Sequence, residues 1–112
     1  MLADFVELDI DAGATFSVQV TVKNDNGTPR NLAGHTLSSQ LRKSYYSSTA
    51  NSFTMSVTDS SNGVVSMSMT SANTANLKAG RYVFDVEMED IANNTITRIF
   101  EGIVTVLPNV TR

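Results

Sequence analysis

Apolar and polar residues alternate with a period of two along most of this chain, the spacing that sends successive side chains to opposite faces of a β-strand. Within residues 5–10, Val6, Leu8 and Ile10 alternate with Glu7 and Asp9; within residues 16–22, Phe16, Val18, Val20 and Val22 alternate with Ser17, Gln19 and Thr21. Each run predicts a half-buried strand. Residues 24–29 (NDNGTP) then force a turn, because Gly and Asn accept positive φ and Pro removes a ladder donor. A third strand follows over about residues 35–42, with Leu37 and Leu41 facing inward.

Residues 43–51, rich in Ser and Tyr, read as a long exposed loop. Beyond it Phe53, Met55 and Val57 alternate with Thr54, Ser56 and Thr58, and Val65, Met67 and Met69 alternate with Ser66 and Ser68. The turn signal at residues 60–63 (SSNG) between these runs makes them the clearest hairpin in the chain. Residues 70–77 lose the alternation and predict a crossing loop with room for one helical turn. Tyr82, Phe84, Val86 and Met88 then form the inward face of a strand whose outer face is mainly charged, and residues 90–94 turn the chain back. The final strand, residues 95–107, changes phase, and a bulge or bend is expected near Gly102.

Seven short strands with turn signals between them, and no sustained helical period, predict an all-β domain. The specific expectation is an immunoglobulin-like antiparallel β-sandwich of about seven strands over residues 1–112, with a small barrel as the alternative. Tyr82 stands at the entry to the penultimate strand, where a tyrosine corner would sit; the other reading is an ordinary core aromatic.

Composition narrows the function. At 112 residues there is room for one domain, and 17% charged against 41% hydrophobic residues predicts a folded chain. The net charge of −3, with basic residues scattered singly, offers no footprint for nucleic acid. No apolar run is long enough to span a bilayer, and residues 1–4 (MLAD) lack the basic start of a secretory signal, so a soluble product is expected. The absence of cysteine removes disulfides and thiolate chemistry.

Few residues suggest chemistry. His35 is the sole histidine, and its place at a strand start reads as a surface or packing residue. Asp85, Glu87 and Glu89 share a strand face with Asp90 in the next turn; they could supply calcium ligands, but the spacing fits a solvated face better. Glu101 is read as outward rather than as a buried partner of Arg98 or Arg81. Asn26, Asn93 and Asn109 begin Asn-x-Thr triplets, attributed to chance in a chain rich in both residues. No catalytic residue, metal site or cofactor is expected. Arg42, Lys43, Tyr45 and Tyr46 form the candidate partner-contact loop, since tyrosine gives large contact area at low entropy cost; alternatively one ring folds back to cap the sandwich.

The order of residues 11–16 (DAGATF), 27–34 (GTPRNLAG) and 40–43 (QLRK) resembles small β-sandwich virion proteins of tailed bacteriophages. Residues 77–86 (LKAGRYVFDV) and 102–112 (GIVTVLPNVTR) are similar to the closing half of their immunoglobulin-like baseplate and tail modules. The resemblance implies a non-enzymatic structural protein, made in the host cytoplasm and located in the virion. Its expected partners are other virion subunits, in a homo-oligomer, with a host-surface ligand as a further partner. A cell-surface or carbohydrate-binding module is the alternative.

Overall fold

The computed structural model describes residues 4–110. Its elements are β1 (Asp4–Asp11), β2 (Phe16–Thr21), β3 (His35–Arg42), β4 (Asn51–Asp59), β5 (Val64–Met69), the helical turn α1 (Ser71–Thr74), β6 (Gly80–Asp90) and β7 (Thr95–Leu107). The strands join in one mixed sheet in the order β1-β7-β6-β3-β4-β5-β2. β4 serves both halves of it: Asn51 to Phe53 pair with β3, and Thr54 to Asp59 pair with β5. The two end strands, β1 and β2, are consecutive in sequence and joined by a short turn, so the sheet's ends meet at that turn. The sheet thereby nearly closes into a barrel, with a seam between β1 and β2 where neither pairs with the other among the described residues.

The all-β expectation holds, and the predicted β4–β5 hairpin forms with Met55 opposite Met67. Purely antiparallel pairing does not hold. β1 runs parallel to β7, Asp4 facing Phe100 and Asp11 facing Leu107. The short turn carries the chain from β1 to the far end of the strand order, so β1 has no hairpin partner and its ladder is completed by the last strand.

The expected irregularity in β7 lies three residues earlier than Gly102. Val86 faces Phe100 while the next residue, Glu87, faces Arg98, so Ile99 is the extra residue. The bulge resets the phase: Ile99 itself is buried, and after it the buried positions are Gly102, Val104 and Val106. Gly102 has another cause. A Cβ there would run into the Val6 carbonyl oxygen of the parallel neighbour, so glycine lets β1 lie against β7.

The core is built from the inward positions that the alternation picked out. Ile10, Leu41, Val65 and Val104 are fully buried, and Phe53 stacks obliquely on Phe16 and edge-on to Phe84, with centroids 5.6 and 6.3 Å apart. Two further contributions come from outside the alternating runs. Leu32 is buried, and its N–H donates to the Ser60 carbonyl (2.8 Å), which anchors the otherwise largely exposed loop of residues 23–34 to the turn after β4. At the other end the buried Thr74 of α1 clamps the β1–β2 turn: its hydroxyl accepts from the Gly13 N–H (3.1 Å) and donates to the Ala14 carbonyl (2.8 Å). The long axis of 44 Å matches the ~43 Å that a 13-residue strand such as β7 spans at ~3.3 Å per residue.

Candidate functional site

The loop after β3 opens with a tight turn that places both tyrosines. The Ser47 N–H donates to the Ser44 carbonyl and the Ser44 N–H to the Ser47 hydroxyl, both at 3.1 Å, which leaves Tyr45 and Tyr46 at the tip. Neither ring folds back over the core: Tyr45 is 67% exposed and Tyr46 98%. The four loop residues singled out from sequence nonetheless point to different places. Lys43 turns toward β6, its Nζ 4.7 Å above the Tyr82 ring. Arg42 turns the other way, donating from Nη1 to the Ser47 carbonyl (2.7 Å) and from Nη2 to Gln40 Oε1 (3.2 Å).

Arg42 and Tyr45 meet at a shallow hollow of about 270 Å3 on the outer face of β3, β6 and β7. The register brings its floor together, because Gln40, Asp85 and Glu101 are in line across the three strands. Arg98, displaced by the Ile99 bulge, lies over this row. Its Nε is 3.3 Å from Asp85 Oδ2 and its Nη1 is 3.4 Å from Glu101 Oε2. Glu101 therefore faces outward, as the sequence reading favoured, and is paired with Arg98 as well. Glu87 completes this rim and also lines an adjoining hollow of about 330 Å3 that runs toward Ser38 and Ser52; the two hollows share Gln40, Asp85 and Glu87. Tyr46 and Lys43 line neither.

The remaining candidates are drawn into local structure. His35 Nδ1 lies 3.0 Å from the Ala33 carbonyl and Nε2 lies 3.9 Å from Asp90 Oδ2, at the far end of β3 from the tyrosine loop. Asp90 accepts from the Asn93 side chain (2.9 Å), and these hydrogen bonds, with a smaller contribution from His35, hold its carboxyl below the usual range. Asp59 is lowered in the same way by Asn62 and Ser61. Among the described residues no three His, Cys, Asp or Glu side chains converge on one point. No helix there is long and apolar enough to cross a membrane. The Tyr82 hydroxyl donates to the Lys78 carbonyl at 2.8 Å, the contact expected of a tyrosine at a strand entry.

The hollow was not legible from sequence beyond Arg42 and Tyr45. Gln40, Asp85, Glu87, Arg98 and Glu101 sit on three strands, and only the cross-strand register and the position of the bulge bring them together. The charged outer positions of β6 were the available signal.

Comparison with known proteins adds little. No family model matches the chain, and no curated protein matches it. A family 123 glycoside hydrolase from Clostridium perfringens, studied for glycolipid glycan hydrolysis, is similar in structure at a TM-score of 0.43 and 15% identity. The likeness covers 97% of this chain and 24% of that one, so the chain spans about a quarter of the enzyme's length. Likeness of this degree assigns neither family nor activity.

Proposed function

We propose that this chain is a non-enzymatic immunoglobulin-like module that works by assembly, as a structural subunit of a tailed-phage particle. The immunoglobulin-like reading is supported by the sheet that folds over at β4 and by the Tyr82 to Lys78 hydrogen bond. The phage setting rests on the sequence resemblance alone.

The observation that carries assembly is the open edge of β2. Among the described residues β2 pairs only with β5, and the Val22 N–H donating to the Gly63 carbonyl (2.8 Å) sets the alternation of that ladder. The even-numbered residues therefore bond toward β5, and the N–H groups of Ser17, Gln19 and Thr21 point to the open side. The outward side chains of β2 are uncharged, whereas those of β1 include Glu7, Asp9 and Asp11, whose like charges repel a second copy laid along that edge. β2 is the edge suited to pair with another subunit, with itself about a two-fold axis in the simplest case.

The test is solution mass by light scattering across a concentration series, for the parent chain and for Gln19→Pro. Proline at an open-edge position removes one outward donor and leaves the β5 ladder intact. The parent should form a defined oligomer, and Gln19→Pro should be a folded monomer. A parent chain that stays monomeric at high concentration, or an oligomer that Gln19→Pro leaves unchanged, rejects assembly through β2.

A further inference from the structure

We propose that the hollow beneath Tyr45 is a binding site for a neutral glycan, one hexopyranose ring lying against Tyr45 and the chain continuing across Glu87 toward Ser38 and Ser52. Four observations lead to that ligand. First, Tyr45 stands two-thirds exposed at the tip of the Ser44–Ser47 turn and lines the hollow, so it offers a flat apolar surface at its rim. The C–H face of a pyranose ring matches such a surface, and a tyrosine, with only two side-chain torsions, loses little entropy when it is covered.

Second, both guanidinium groups are held before any ligand arrives. Arg98 is spanned between Asp85 and Glu101, and Arg42 between Gln40 and the Ser47 carbonyl. Gln40, whose Oε1 is taken by Arg42, keeps its amide N–H2 as a donor, and the Glu87 carboxylate lining the same hollow is an acceptor. Each sugar hydroxyl both donates and accepts, so a hollow lined by a donor and an acceptor suits a sugar's hydroxyl groups.

Third, charge selects among polar ligands. Two guanidinium groups face three carboxylates around the hollow, and both guanidinium groups are already engaged. A phosphate, sulfate or uronate would meet excess negative charge, whereas an uncharged sugar would not. Fourth, the two hollows share Gln40, Asp85 and Glu87 and are open along their length, a shape for a chain of sugars rather than an enclosed single ring.

The site is separate from the assembly reading, since the hollow lies on β3, β6 and β7 and β2 pairs with none of them. The experiment is titration of the full 15N-labelled chain with four neutral tetrasaccharides, built on glucose in α- and β-linkage, on mannose and on N-acetylglucosamine, with tetragalacturonate as the anionic comparison. At least one neutral tetrasaccharide should shift amide signals of β3, β6 and the Tyr45 turn with millimolar or tighter affinity. Tyr45→Ala should weaken that binding roughly tenfold and Glu87→Gln roughly threefold. Tyr46→Ala, which changes the neighbouring and more exposed ring, should bind like the parent, and Gln19→Pro should bind unchanged even if it abolishes an oligomer. Dispersed amide spectra establish that each variant is folded. The proposal fails if none of the neutral sugars shifts these signals at ~20 mM, if Tyr45→Ala and Tyr46→Ala behave alike, or if tetragalacturonate binds more tightly than every neutral chain.

Discussion

Two turns of this protein are built from the same local device. Asp59 accepts from the Asn62 side chain at 2.8 Å and from its N–H at 3.3 Å; Asp90 accepts from the Asn93 side chain at 2.9 Å and from its N–H at 3.4 Å. In each case the next residue has positive φ, Gly63 at 70° and Asn94 at 51°. The carboxylate gathers the N–H groups that a reversing chain leaves unpaired, and those hydrogen bonds favour the ionised form. Both carboxyls are lowered in the folded state, so the stability they contribute is complete above the unfolded value of about 3.9 and is lost as pH falls through the lower folded values. Urea midpoints of the parent should accordingly hold between about pH 7 and 5 and then decline below about pH 4. The double variant Asp59→Asn, Asp90→Asn should be less stable at neutral pH and decline less steeply in acid, its curve approaching the parent's. Two parallel curves would show that the turns are not held by their charge.

At the scale of elements, the strands were legible wherever one face meets the core and the other meets water. Burial alternates along β2, along β5 and from Tyr82 to Met88 of β6, and Phe16, Met67, Phe84 and Val86 are buried as their phase requires. Legibility ended where neighbouring positions are both apolar or where a residue's reason lies on another strand. Ile99 and Phe100 give no sign which of them is surplus, so the sequence points to the nearby Gly102 instead. The burial of Leu32 and Thr74 depends on backbone partners, Ser60 in one case and Gly13 and Ala14 in the other, that no local pattern announces. The parallel course of β1 is equally silent, because an edge strand alternates in the same way whichever direction its partner runs. Gly102 is the position that tests this pairing. A methyl group there collides with the Val6 carbonyl, so Gly102→Ala should push β1 off β7 at a cost of about 2 kcal/mol. Hydrogen exchange should show the loss confined to the β1–β7 ladder, with β4 and β5 protected as in the parent. Uniform loss of protection would mean that β1 is not a separable element.

For the whole molecule, the same topology sets the order of folding. β4–β5 and β6–β7 are hairpins closed by short turns, and β3 joins β6 and β4 over intermediate separations. The β1–β7 ladder instead joins the two ends of the chain, so it bears the largest loop-closure entropy and gains most when the rest of the sheet is already in place. β1 should therefore dock after the rate-limiting step, and refolding of so non-local a fold should take milliseconds to seconds. Gly102→Ala should leave the refolding rate nearly unchanged and speed unfolding, by roughly thirtyfold for a loss of about 2 kcal/mol. Gly63→Ala should do the opposite. It imposes a side chain on a residue at φ 70°, where a Cβ would stand 2.5 Å from the Val22 carbonyl oxygen, and so disturbs the turn that closes the β4–β5 hairpin. Its effect should fall chiefly on the refolding arm in stopped-flow measurements. If Gly102→Ala slowed refolding instead, β1 would belong to the folding nucleus, and the near-closed sheet would have to form from its ends inward.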